Sequence, residues 1–378
     1  MSLRPPRPGS EIDARLPPDL LAQHFHSLAI PQVDHSKTTV AESKTTVAES
    51  LTAVAESLIL ESYPVETIRK LQASVETARA SLLQLLKSFT RNESIPLKAV
   101  SRSVGDLVHQ ANGDIAATLA VLALNGKGSS REIVVNLAKH ATNLSLLSIV
   151  MSILRKDAPA VSYSIGLAGL LHDSSLLMNT EWFLVEQNAR DEVARKKYRR
   201  HPQESAEAFH GVVGVSTSVQ ELMMEVHEQA DGSGYPRGMS LGKMKSGSEI
   251  LNLADAYLTL TSPIQGRPIA PPDAIAYLCF HTAQGRFCQY TLRLLLESLS
   301  VYPIGSTVEL DDGTKAVVIQ ASKNKRMAPV VRSFQPGHET IDLTNSARFI
   351  SGPSAGQGSE GERLQKSRMH EFLWKTDR

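Results

Sequence analysis

Cysteine is nearly missing: Cys279 and Cys288 are the only two in 378 residues, and they form no Cys-x-x-Cys spacing. That excludes a disulfide framework and a thiolate zinc site, and fits a reducing compartment. Excess charge is missing as well. Forty Lys and Arg against 39 Asp and Glu leave a formal charge of +1, so no global field draws the chain to a nucleic-acid polymer or an anionic membrane. The most apolar stretch, near Leu144–Leu154, is too short and interrupted to span a bilayer, and the opening MSLRPPRPGSEIDARLPP has no apolar core of a secretory signal. A cytoplasmic protein without membrane insertion is expected. What is present is a hydrophobic fraction of 42%, enough for a sizeable core, and a length suited to about two domains.

Five segments are expected along the chain. Residues 1–57 read as a flexible arm, with a short helix at Leu20–Leu28. The arm ends in the near-verbatim repeat KTTVAES, KTTVAES, LTAVAES over residues 37–57. Its period of seven puts Val40, Val47 and Val54 on one seam, a route to a homo-oligomer, but the Thr, Ala and Ser elsewhere make a weak coiled coil at best, and a duplicated linker with some helicity is the simpler account. Residues 58–125 are a helical lead-in, with Ile68, Leu71, Val75, Ala78, Leu82 and Leu85 stepping by threes and fours. Residues 126–300 carry most of the helical pattern. Over 301–350 the period changes to that of strands, with a hairpin around Asp312-Gly313. Residues 351–378 are expected to be disordered. The fold class is therefore mainly α, a helical bundle with a small C-terminal β segment.

Chemistry concentrates in the helical segment between residues 126 and 300. His140 lies in the stripe Leu137, Leu144, Leu147, Met151 and Leu154. His172 and Asp173 follow an apolar run, Asp255 falls between Leu251 and Leu258, and His227 falls four after Met223. His201-Pro202 reads as a helix start. Any one of these is more often a hydrogen-bonded core residue than a ligand. Jointly, four His and two Asp on inward faces are costly to desolvate without a shared partner, and a divalent cation satisfies imidazole and carboxylate at once. A nitrogen and oxygen set without thiolate suits iron or manganese, with zinc possible.

The motifs GLAGLLHD (Gly166–Asp173), HPQESAEAF, HEQADGSGYPRGM, ILNLADAYLTLTS and VYPIGSTVELDDGTKAVVI resemble, in order, the signatures of the HD-GYP family, a branch of the HD superfamily. The resemblance covers roughly residues 60–335. It implies an HD-superfamily helical bundle and a metal-dependent phosphodiesterase acting on cyclic di-GMP with one or two ions. By position it implies that His140, His172 and Asp255 hold the first metal, that His201 and His227 hold the second, and that Asp173 bridges them as the central catalytic ligand. Gly234, Tyr235, Pro236 and Arg237 would line the substrate side, and the Gly-Tyr-Pro loop would also meet a signalling partner.

The chain departs from the family pattern at several positions. Leu176 stands where the HD motif has a phosphate-facing Lys, and Val226 where a further metal-binding His is usual. Asn136 replaces an occasional third-metal Glu, Leu258 a second Asp, and Arg267-Pro268-Ile269-Ala270 ends without the family's second Arg. Two functions remain in competition at this point. One is a hydrolase of reduced turnover; the other is a regulatory module that binds a cyclic dinucleotide or a partner protein without cleaving it.

Overall fold

A computed structural model describes residues 51–91, 97–126, 132–180, 192–264, 268–322 and 325–353, all within one compact unit. The first two heptads, the arm before them, Arg267 and the tail from 354 lie outside the described residues.

The first described helix, α1 (Leu51–Leu60), takes up the third heptad repeat. It buries Ala55, Leu58 and Ile59, and Val54 leans on the same core. In the described part of the arm, the expected oligomer seam therefore faces the chain's own interior. Helix α2 (Val65–Thr90) follows and presents Ile68, Leu71, Val75, Ala78, Leu82 and Leu85, all at most 3% exposed. Each of the buried Ile, Leu and Val side chains contributes roughly 1.5–3 kcal/mol. Helix α3 (Leu97–Gly113) buries Leu97, Val100, Val104, Leu107 and Ala111. Asp114 then starts α4 (Ile115–Gly126) by accepting the Ala117 amide at 2.9 Å, a side-chain N-cap.

At the centre stands α5 (Ile133–Leu154), apolar nearly all round. By length and hydropathy it could cross a membrane, which differs from the short, broken stretch expected of this region. Its polar residues, among them Asn136, His140 and Asn143, are buried with the rest, and the other helices cover it. Helix α6 (Pro159–Leu171) packs along α5 closely enough that a Cβ at Gly169 would stand 3.2 Å from the Ser145 backbone. A larger residue there would push apart the two helices that carry His140 and His172.

The remaining helices are α7 (Ser174–Met178), α8 (Glu192–Tyr198), α9 (His201–Ala208), α10 (Thr217–Glu225), α11 (Ser248–Thr261), α12 (Pro271–Ala283) and α13 (Gln289–Leu299). An antiparallel sheet of five strands follows: β1 (Thr307–Leu310), β2 (Lys315–Gln320), β3 (Val330–Ser333), β4 (Thr340–Asp342) and β5 (Ile350–Pro353), in the order β4-β3-β2-β1-β5. The β1–β2 hairpin turns at Asp312-Gly313. Strand β5 returns beside β1, pairing Val308 with Pro353, so order runs past the point where the sequence suggests a disordered tail. Its backbone bonds to β1 explain why residues of low apolar content are nonetheless held. The sheet rests on the α1–α2 turn: the Tyr63 hydroxyl donates to the Ile319 carbonyl at 2.7 Å, and Arg332 meets Glu61 at 3.1 Å.

Candidate metal centre

Six side chains from five places in the fold converge. His140 comes from the middle of α5, and His172 and Asp173 from the turn between α6 and α7. His201 opens α9, His227 follows the end of α10, and Asp255 lies mid-way along α11. Local chemistry sets each of them. Pro202 at the first turn of α9 needs no amide partner, which makes His201 a helix-start residue. Ser175 ties that start to the HD turn, donating its hydroxyl to the His201 carbonyl at 2.9 Å while its amide meets Ser205 Oγ at 3.0 Å. Asn252, one turn before Asp255, donates to the Val226 carbonyl at 3.2 Å and so locks α11 to the residue preceding His227.

The contacts among the six are short. His140 Nε2 lies 2.9 Å from Asp255 Oδ1, and His227 Nδ1 lies 3.3 Å from Asp255 Oδ2. Asp173 reaches His172 Nε2 at 3.2 Å through one oxygen and His201 Nε2 at 3.3 Å through the other. His201 Nε2 and His227 Nε2 are 3.0 Å apart. Ligand atoms of His140, His172 and Asp255 all lie within 4.8 Å of one another, as do those of His172, Asp173 and His227.

Hydrogen bonds fix which nitrogens are left over. His172 Nδ1 donates to the Gly169 carbonyl and His201 Nδ1 to the Tyr198 carbonyl, each at 2.8 Å, so in the neutral rings both Nε2 atoms carry lone pairs facing inward. Such backbone bonds are the usual orienting partners of metal-binding imidazoles. His172 Nε2 and Asp173 Oδ1 are buried and have no hydrogen-bond partner of adequate geometry. An orphaned buried polar atom costs about 1–3 kcal/mol. Two atoms each about 2.1 Å from one ion, at a right angle, are roughly 3 Å apart, which is the spacing seen here. The donor set fits a divalent cation.

With no ion bound, the six side chains set one another's protonation states. Burial works against the Asp173 carboxylate, yet His172 and His201 hold it well below the usual carboxylate range. Asp255 is likewise held down, against its burial, by His227 and His140. Burial pulls His172 toward neutrality, but Asp173, with help from Asp255, lifts it to about 9. His227 goes the other way, because burial outweighs its Asp255 partner and lowers it. Two ionised carboxylates thus hold a proton on His172 beside a neutral His227, and a cation bound there would displace that proton.

The Gly-Tyr-Pro loop folds over one side. Tyr235 stacks on His227, with ring centroids 5.0 Å apart and planes 23° from parallel. Gly234 is required there, since a Cβ would fall within 2.5 Å of His227 and Glu228 backbone atoms. Two buried carboxylates hold the loop. Glu228 accepts the Arg237 and Met239 amides at 2.7 and 2.8 Å. Glu225 accepts the Lys245 amide, the Ser248 hydroxyl and the Arg237 guanidinium, each at 2.7 Å. Arg237, expected on the substrate side, has its charge matched by Glu225. Glu225 went unnoticed in the sequence because a buried Glu next to Val226 leaves no periodic signal.

The departures also have a structural address. Leu176, 1% exposed, and Val226, fully buried, are packed into the core, so neither position offers a polar group to the site. Leu258 is 3% exposed, and the Asn136 amide donates to the Ile264 carbonyl at 3.0 Å.

An HD domain profile matches residues 124–287, the segment that holds all six side chains. This segment of the chain is thus similar to HD domains. Among curated proteins similar to this chain is the cyclic di-GMP phosphodiesterase PA4108 of Pseudomonas aeruginosa, 27% identical over 180 residues, covering 47% of this chain and 43% of that protein. Another is the cyclic di-GMP phosphodiesterase PdeB of Borreliella burgdorferi, 22% identical over 144 residues and 38% of each chain. The 3'3'-cGAMP-specific phosphodiesterase 1 of Vibrio cholerae is 35% identical over 102 residues, 27% of this chain and 23% of that protein. The matched part is thus less than half the length of each of these relatives. Among solved structures, Bd1817, an HDG"Y"P protein from Bdellovibrio bacteriovorus, superposes with a TM-score of 0.49 at 19% identity, covering 63% of this chain and 76% of that one.

Proposed function

We propose that this chain is an HD-GYP-type, metal-dependent phosphodiesterase that opens a cyclic dinucleotide, with cyclic di-GMP as substrate. The observation that carries this reading is the convergence of four imidazoles and two carboxylates around buried, unsatisfied ligand atoms. Two of the relatives are named for cleavage of cyclic di-GMP and the third for a related dinucleotide, which supports the substrate class.

His140, His172 and Asp255 would hold one ion, His201 and His227 a second, and Asp173 reaches toward both sets through separate oxygens. The absence of thiolate favours iron or manganese. When bound, such ions supply Lewis acidity toward water and toward the phosphodiester oxygens. The chain's own residues do the rest. Backbone carbonyls at Gly169 and Tyr198 keep the His172 and His201 lone pairs turned inward. Glu225 and Glu228 hold the loop, so that Tyr235 closes the His227 side with an aromatic face on which a base can stack. With Leu176 in place of a cation, one phosphate contact is missing, which lowers turnover by about a hundredfold.

The competing reading, a module that binds a dinucleotide without cleaving it, draws on the apolar burial of Leu176 and Val226. One experiment separates them. Protein purified without oxygen is loaded with iron or with manganese, assayed for metal content, and incubated with cyclic di-GMP and with 3'3'-cGAMP. Linear product that disappears in Asp173→Ala supports hydrolysis. Intact dinucleotide in the presence of two bound equivalents of either metal ends that reading.

A further inference from the structure

The phosphate-binding cation that Leu176 does not provide has a candidate two residues before a ligand. The Arg199 guanidinium carbon lies 5.4 Å from the centroid of the Tyr235 ring, the same ring that stacks on His227. The side chain is half-buried, and among the described residues no carboxylate lies within ion-pair distance of it. Neighbouring cations are placed otherwise. Arg200 projects outward beside Glu204, Arg237 is bound by Glu225, and Lys245 pairs with Glu221.

The backbone that carries Arg199 is also the backbone that sets the site. The Tyr198 carbonyl accepts from His201 Nδ1 at 2.8 Å, the Tyr198 ring sits 4.7 Å from the His201 ring, and the Arg200 amide closes onto the Lys197 carbonyl at 3.1 Å. Arg199 is therefore held in register with His201. A guanidinium lying over an aromatic face still presents its N–H groups around the edge of its plane, where they match the oxygens of a phosphate in a bidentate way.

We propose that Arg199 binds a phosphate of the cyclic dinucleotide, supplying from the α8–α9 turn the cation that position 176 lacks, with Tyr235 as the platform that aims it. This rests on the dinucleotide reading given above. It adds a residue to the substrate side of the site and removes Arg237 from it.

The test compares the manganese-loaded full chain with Arg199→Ala and Arg199→Lys, using a phosphorothioate analogue of cyclic di-GMP that resists cleavage. Calorimetric affinity, manganese content and melting temperature are read on each. Arg199→Ala is expected to bind the analogue about ten- to a hundredfold more weakly, the range for a lost hydrogen bond to a charged group, with metal content and melting temperature unchanged. Arg199→Lys, keeping the charge but not the fork, should fall between the two. Equal affinity in Arg199→Ala, or an affinity loss that only tracks lost manganese or a lowered melting temperature, overturns the assignment; so does a wild-type chain that does not bind the analogue. The two proposals fail separately. Arg199-dependent binding by a chain that never cleaves cyclic di-GMP sinks hydrolysis and keeps Arg199. Cleavage with unchanged KM and kcat in Arg199→Ala does the reverse.

Discussion

Arg237 and Glu225 meet at 2.7 Å, joining the residue after the Gly-Tyr-Pro triplet to a carboxylate whose side chain is only 5% exposed. The pair is lopsided, since Arg237 is 42% exposed and Glu225 serves two further donors. Glu225→Ala strands the Lys245 amide and the Ser248 hydroxyl together with the guanidinium, and is expected to cost about 3 kcal/mol. Arg237→Ala leaves Glu225 two donors and should cost about 1 kcal/mol. Urea midpoints at constant m-value measure both, and equal losses would contradict the asymmetry.

Gly234 faces the backbone of His227 and Glu228 with no room for a methyl group. Gly234→Ala forces the loop off the helix end at a cost of about 1–3 kcal/mol, and lifts Tyr235 away from His227. Tyrosine fluorescence and near-ultraviolet dichroism report the displaced ring. A variant with wild-type spectra and melting temperature would show that the loop absorbs the methyl group elsewhere.

Metal removal should destabilise the bundle, because the site's inward lone pairs and carboxylates then face one another unshielded. At a metal concentration a thousandfold above the dissociation constant, binding contributes about 4 kcal/mol. Chelation is expected to lower the melting temperature, manganese to restore it, and His140→Ala to remove most of the difference. A melting curve indifferent to a chelator that strips all metal would count against a site of this kind.

Acid should weaken the fold through a histidine outside the centre. Burial, with Arg286 nearby, lowers His281 to about 4, and its ring lies 4.2 Å from that of Tyr277. The unfolded chain takes up this proton near pH 6.5 and the folded chain only near 4. Stability is thus whole above pH 6.5 and declines as pH falls toward 4. His281→Phe should flatten that part of the pH profile in urea titrations. An unchanged slope between pH 6.5 and 4 would assign the acid sensitivity to other groups.

Much of this was readable in one dimension. The stripe from Ile68 to Leu85 is apolar at helical spacing because one face meets the core, and every member of it is buried. Asp312-Gly313 announces a tight turn between two strands for reasons local to those residues. The six inward His and Asp were conspicuous because isolated polar groups at apolar positions are costly, and the structure does bring them together. What escaped depends on distant partners. Glu225 looks like any surface Glu until Arg237, Lys245 and Ser248 are folded onto it. Arg199 sits in a run of basic residues that reads as solvated, and only the loop 36 positions later gives it a ring to lie on. β5 was lost because its bonds to β1 are backbone bonds, to which side-chain patterning is blind.

The bond from Tyr63 to the Ile319 carbonyl closes a loop of 256 residues. Contacts that distant cannot form until the intervening helices have already come together, because the chain entropy lost in closing the loop must be offset first. The sheet is consequently expected to dock last in refolding, after the helices bearing the six ligands have assembled.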